Sequence, residues 1–311
     1  MPIRIGLKTQ YDRMLAHLNR LTTELSDLQA QAASGIKFDK PSDAPVDLVS
    51  TLGYRKALAE IDRYQQSIRE AKGFLAAMDK AYEALENITI RAKELAIQGA
   101  NDTLNEQDRK ALAREVWNLL EEAVAVANTS QQGRYIFAGN NPQVKPFHLK
   151  KEALPGGDVL VSVNYAGGSE DLYQGYGVEQ KILVAKNGKA AISDTQIFET
   201  LINLYQTLEN NNQKDSLLEV EDIQQNLKSL KGVLEGLTDQ HADVGAKLDH
   251  LELKENLYED LKVSLQERIS QTQDVDLLEV ASKIRAKEIA YQSALAATSK
   301  VMQLSLVNYL T

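Results

Sequence analysis

Apolar residues recur along most of this chain in alternating steps of four and three, the spacing of helices that pack lengthwise on one another. The first run is Leu7, Tyr11, Met14, Leu18, Leu21, Leu25, Leu28 and Ala32. It predicts a helix ending at Ser34–Gly35, where Gly35 supplies a left-handed cap. The polar stretch from Lys37 to Asp43 contains Pro41, which blocks a continuous helix. Ser42 or Asp43 can cap the next one, with Pro45 tolerated in its first turn. A second stripe keeps the alternation through Ile61, Tyr64, Ile68, Ala71, Leu75, Met78, Tyr82, Leu85, Thr89, Ala92, Ala96 and Gly99. At about 1.5 Å per residue it spans on the order of 60 Å. After a turn over Gly99 to Asn105, Asn105 is placed to cap a third helix with the stripe Leu112, Val116, Leu119, Ala123 and Val126. The short connection predicts antiparallel neighbours.

From Gly133 to Asp194 the helical period disappears. Val159, Val161 and Val163 alternate with polar neighbours, as do Ile182 and Val184, and Asn187–Gly188 reads as a tight turn. Helix returns near Thr195 with Ile197, Leu201, Leu204 and Leu208, breaks over Asn210 to Lys214, and breaks again over Gln271 to Asp276. The final stripe is Leu277, Ala281, Ile284, Tyr291, Leu295, Thr298 and Met302, with the charged Glu288 its one misfit. The fold class is therefore mainly α: an elongated antiparallel helical bundle or coiled coil with paired terminal helices and one small inserted β domain. The expected domains are a terminal assembly domain (1–42 with 275–311), a central bundle (43–140 with 195–274) and the β insertion (141–194). This near-symmetric order folds the chain back on itself and sets its two terminal stripes side by side.

Composition narrows the function. The aromatic fraction is 6%, so the core is one of Leu, Ala, Ile and Val. The net charge of −9, with no basic stripe, speaks against nucleic acid as a partner. The acid excess sits between Glu209 and Asp276, whereas near the start Arg4, Lys8, Arg13, Arg20, Lys37 and Lys40 outnumber Asp12, Glu24, Asp27 and Asp39. With no cysteine there are no disulfides, thiolate metal sites or thiol nucleophiles. No Sec-type leader is visible behind Met1–Gln10 and no stretch approaches a membrane span, so no membrane insertion is expected.

Catalytic patterns are lacking. His17, His148, His241 and His250 show no metal-ligand spacing and read as solvated. Gly175-Tyr-Gly177 lacks the third glycine of a dinucleotide turn and reads as a β-turn. Glu121–Glu122 reads as a solvated acidic face, and Asn101-Asp-Thr103 as a loop that matches a glycosylation sequon by chance. Trp117 lies one residue off its helix seam and reads as packing, not ligand stacking. No enzyme, cofactor or metal is expected.

The terminal stripes lie beyond the Pro41 and Gln271–Asp276 breaks, where each has only the other for a partner within the chain. A lone helix pair leaves apolar surface wet, so assembly with further subunits follows. The flanking motifs point the same way. Leu28-Gln-Ala-Gln-Ala-Ala-Ser34-Gly35 followed by Lys40-Pro41-Ser42-Asp43-Ala-Pro45 resembles the bacterial flagellin family. Gly133-Arg134-Tyr135-Ile-Phe137-Ala-Gly139 with Pro146–Phe147, and the ending Gln303 to Asn308-Tyr309-Leu310 preceded by Asp274-Val-Asp-Leu277, resemble its hook–filament junction branch. The resemblance implies an extracellular flagellar subunit, exported through the flagellar type III channel. Its partners would be copies of itself in a ring or helical layer, a hook-side hook-associated protein, flagellin or other filament-side proteins, and an export chaperone. It also implies terminal segments, here residues 1–40 and 275–311, that fold only on assembly. Filament flagellin and a secreted type III tip or coiled-coil assembly protein are the rival readings.

Overall fold

The computed structural model describes residues 2–38, 40, 42, 44–100, 105–153, 159–209 and 216–310, with the backbone alone at 2–8, 10, 153, 159, 216–221 and 302–310. Helices dominate: α1 (Pro2–Ser34), α2 (Pro45–Gly99), α3 (Glu106–Ala127), then, after the strands, a one-turn α4 (Gly188–Ala191), α5 (Ile197–Glu209), α6 (Ser216–Gln273) and α7 (Leu277–Leu310). Two compact units emerge, residues 1–60 with 260–311 and residues 61–259. Their limits differ from the expected 42/43 and 274/275. Both limits fall within helices, α2 and α6 each continuing unbroken from one unit into the other. The β insertion does not separate as a third unit, because its hairpins pack on helices of the second.

In the first unit α1 lies antiparallel on α7, with Glu24 Oε2 2.6 Å from Lys287 Nζ and the end of α1 beside the start of α7. Gly35 (φ +73°) ends α1 as expected, its N–H donating to the Gln31 carbonyl at 2.8 Å. A short antiparallel bridge follows between Ile36 and Asp274. Lys37 N–H donates to the Gln273 carbonyl (2.7 Å) and Val275 N–H to the Gly35 carbonyl (2.9 Å). Asp276 caps α7 by accepting from the Leu278 and Glu279 amides. Pro41 and Asp43, one of the two expected caps of α2, lie outside the described residues. The helix begins at Pro45, as its missing N–H allows.

The second unit holds the main core. The α2 stripe is buried from Ile61 to Gly99, with Tyr64 half-exposed and stacked on Tyr258. Asn105 caps α3 by accepting from the Asp108 amide at 2.8 Å. Helix α3 packs against α5, and Arg91 of α2 reaches Glu115 of α3 at 2.6 Å. Helix α6 runs antiparallel to α2, with Gln65 donating to Glu259 and Lys72 to Glu255.

Among the described residues, three two-stranded antiparallel sheets, β1 (Ser130–Gln131) with β2 (Arg134–Tyr135), β3 (Phe147–Ala153) with β4 (Val159–Tyr165), and β5 (Leu172–Gly177) with β6 (Gln180–Ala185), belong to this unit. β structure thus starts at Ser130, ahead of the expected 141. Asn187–Gly188 is not a hairpin turn. Asn187 caps α4 by accepting from the Lys189 amide, and Gly188 is buried so tightly that a Cβ would clash with the Phe137 carbonyl oxygen. The Asn-Gly pair serves close approach and capping instead of strand reversal. Gly175-Tyr176-Gly177, expected as a β-turn, ends strand β5 and pairs with β6, and the chain reverses just beyond it at Val178–Glu179, where Glu179 takes φ +57°.

Candidate assembly surface

On α7, the line Leu277, Ile284, Tyr291, Thr298 is flanked by two others, each spaced seven residues apart. One flank is Val280, Lys287, Ala294, Val301; the other is Ala281, Glu288, Leu295, Met302. Either flank completes an alternation of three and four with the central line, and the sequence favoured the second. The structure buries the first. Val280 is 3% exposed, Ala294 and Val301 are half-buried, and Lys287 reaches Glu24 of α1. Ala281 and Glu288 are exposed, as is Leu295 at 47%, while Met302 lies outside the described side chains. Of the residues expected in the C-terminal assembly seam, Ile284, Tyr291 and Thr298 are thus buried or half-buried, whereas Leu277, Ala281 and Leu295 stay exposed. The reason is electrostatic as well as steric: the inward flank offers a lysine to Glu24, and the other would bring Glu288 towards that carboxylate. Contact with Lys287, above all its hydrogen bond, holds the Glu24 pKa below the ordinary carboxylate value.

The N-terminal seam faces α7 for most of its length. Leu21 is buried, and Met14, Leu18, Leu25, Leu28 and Ala32 are half-buried. Tyr11 is exposed, and the Leu7 side chain lies outside the described ones. Pairing leaves apolar residues in water on α7 besides Leu295: Leu277 (57%), Leu278 (85%) and Ile289 (60%). Val46, Val49 and Leu52 of α2 are exposed too, as are Leu261 and Val263 of α6. Single exposed leucines are ordinary, whereas these four apolar side chains of α7 lie on one helix that is already paired.

The motif residues have structural roles. Gln132 (φ +52°) and Gly133 (φ +75°) are the two left-handed centre residues of the β1–β2 hairpin, pairing Gln131 with Arg134 and Ser130 with Tyr135. That turn drives Ile136 and Phe137 into the core, where Phe137 meets Tyr82 edge-on at 5.6 Å. Gly139 (φ +58°) sits where a Cβ would lie 2.5 Å from the Glu170 carbonyl oxygen. Phe147, fully buried, is fixed through its backbone by the Asn128 side chain, which accepts from its N–H at 2.9 Å and donates to its carbonyl at 3.0 Å. Ser34 accepts from the Ile36 amide, Ser42 is an exposed turn residue, and Arg134 is exposed. Asn308, Tyr309 and Leu310 continue α7 with their side chains outside the described ones.

The histidines are not simply solvated. His241 on α6 stands between two α2 carboxylates, Nε2 3.0 Å from Asp79 and Nδ1 3.2 Å from Glu86, against the Tyr82 ring. Both ring nitrogens face acceptors, which favours the imidazolium. Burial pulls its pKa down, but the hydrogen bonds and charges of Glu86 and Asp79 outweigh this and raise it above 6.5. His250 pairs with the Tyr176 hydroxyl at 2.9 Å, His17 with Arg20, and His148 with the Lys145 carbonyl. Histidine spacing in sequence held no sign of these partners, since they come from other elements or from the local turn. Among the described residues no group of three or more His, Cys, Asp or Glu is arranged to hold a metal, and no helix is long and apolar enough to cross a membrane.

Residues 7–142 match the family model of the bacterial flagellin N-terminal helical region, and residues 227–310 that of its C-terminal helical region. The chain is similar to the flagellar hook-associated protein 3 of Escherichia coli K12, at 21% identity over 98% of each chain. It is similar to that of Salmonella typhimurium at 22%, again over 98% of each. In fold it resembles the crystal structure of Bacillus cereus FlgL, with TM-score 0.58 and 22% identity over 70% of this chain and 99% of that one.

Proposed function

The chain belongs to the bacterial flagellin family, and from that premise we propose that it forms the junction layer between flagellar hook and filament. The observation that carries this reading is the α1–α7 pair, which uses one flank of α7 internally and leaves Leu277, Leu278, Ile289 and Leu295 for neighbours. Full-length likeness to two proteins named flagellar hook-associated protein 3 supports the junction over other flagellar positions.

In this reading the chain is a structural subunit with no catalytic step. It leaves the cell through the flagellar type III route, escorted by an export chaperone. The seams Leu7 to Ala32 and Leu277 to Met302 build the inner wall of a ring or helical layer. Copies of the chain contact each other laterally, hook-side hook-associated protein binds one edge, and filament-side protein binds the other. Assembly consolidates the α1–α7 pair by covering the apolar side chains that pairing leaves exposed. Deleting the gene and imaging the cells tests the reading: hooks without filaments support it, and intact filaments overturn it. Copy number separates it from filament flagellin, which is abundant where a junction subunit is scarce.

A further inference from the structure

Trp117 is the single tryptophan of the chain, and the core does not fully enclose it. Its ring on α3 lies 5.2 Å from that of Tyr205 on α5. Lys151 of β3 holds its ammonium 4.5 Å from the centre of the indole and 6.0 Å from that of the Tyr205 ring. A cavity of about 320 Å³ opens here, walled by Lys110, Arg114, Trp117, Lys151, Tyr205 and Glu209. In a chain of net charge −9, three of the four charged groups around this cavity are cationic. Glu106 compensates Lys110 at 2.6 Å. Neither Arg114 nor Lys151 makes an ion pair among the described residues.

We propose that this cavity binds a carboxylate-bearing sugar ring, a hexuronic or sialic acid residue. The volume is at the lower end for ligand pockets and suits one ring. The indole offers a flat apolar wall to the C–H face of a pyranose. Arg114 and Lys151 take the carboxylate through charge-assisted hydrogen bonds, and Glu209 accepts from sugar hydroxyls. Lys151 is lightly held where it is, because an exposed cation–π contact is weaker than a hydrogen bond between two charged groups. An arriving carboxylate therefore draws the ammonium off the indole and uncovers the face on which the sugar stacks. A neutral sugar leaves the ammonium in place, and a bare anion gains nothing from the ring. Long polyanions such as nucleic acid are disfavoured by the single-ring cavity and by the net charge.

The test uses the full chain, in which Trp117 alone supplies indole emission. The probes are sodium glucuronate and N-acetylneuraminate, with glucose and sodium acetate as controls at constant ionic strength. A saturable emission change with at least one acidic sugar and none with the controls is expected. Lys151→Met and Arg114→Gln each weaken binding about tenfold, the loss of one charge-assisted hydrogen bond. Saturation-transfer NMR on the unmodified chain gives a reading free of any folding defect in the variants, with transfer to ring protons of the acidic sugar and not of glucose. No saturable response to either acid, an equal response to acetate, or unchanged affinity in a folded Lys151→Met protein overturns the proposal.

Discussion

The two flanks of α7 make opposite predictions for the same chemical change. Val280→Glu places a carboxylate at a site 3% exposed, against α1, and costs the isolated protein several kcal/mol. Leu295→Glu places it at a site 47% exposed, where substitutions fall within about 0.5 kcal/mol, a melting shift of about 1–2 °C. Assembly inverts the order of interest. Scaling about 1.5–3 kcal/mol for full burial of a large aliphatic side chain by the exposed fractions of Leu277, Leu278, Ile289 and Leu295 leaves about 4–7 kcal/mol per subunit for neighbours to claim. That is an upper figure, since association entropy opposes it. Leu295→Glu forfeits about 1 kcal/mol of it and adds about 2 kcal/mol or more for an unpaired polar group, weakening assembly about 100-fold. Circular dichroism melts of both purified variants, with electron microscopy and swimming assays of a deletion strain carrying each, read the two effects separately. The reasoning fails if Leu295→Glu melts as early as Val280→Glu, or if it restores filaments fully.

Gly139→Ala should destabilise by about 2–3 kcal/mol, because it combines a left-handed backbone with a Cβ 2.5 Å from a carbonyl oxygen. Gly133→Ala, left-handed but with open space around it, should cost only about 1 kcal/mol; urea unfolding of the two ranks them. His241 has a folded pKa above its unfolded value of 6.5, so its contribution is fully present below about pH 6.5 and is lost as pH rises through the folded value. Melting temperature should fall across that window in the parent, and His241→Gln should flatten the fall; a parallel pair of profiles would refute the Asp79–Glu86 bridge. Asn105→Ala removes the cap on the Asp108 amide and should cost about 1 kcal/mol, read by the same unfolding curves.

The stripes of α2 and α5 were legible because a helix buried on one face repeats its apolar positions without competition; on α3 Leu120 and Ala127 are fully buried where the stripe had Leu119 and Val126, which are half-buried. From Ile61 to Gly99 the pattern and the burial coincide, with Tyr64 alone half-exposed. Caps at Gly35 and Asn105 were legible for local reasons: a left-handed terminus and an amide three residues away depend on few neighbours. What sequence could not carry was pairing over distance. The carboxylates around His241 lie 155 and 162 residues away, and no spacing rule connects them. Asn187–Gly188 shows the other failure. Local chemistry permits both a hairpin turn and a helix cap, and the choice was made by Phe137 and Tyr165 closing over Gly188.

The α7 seam was legible as an apolar pattern but not as a choice between flanks, for a reason that bears on function. A helix with one buried face has one best ladder, and reading it is safe. A helix apolar on both sides of a central line has two, and periodicity alone cannot rank them. Val280, Ala294 and Val301 on one side are matched by Ala281, Leu295 and Met302 on the other. Within the chain only one ladder can face α1, and the Lys287–Glu24 pair selects it at 2.6 Å. In a monomer built to stay single, the second ladder would be polar, since its leucine in water serves no fold. Its persistence is intelligible if both ladders are used at once, one against α1 and one against the next subunit. The ambiguity between the two flanks is thus the same property that suits α7 to a continuous wall of subunits.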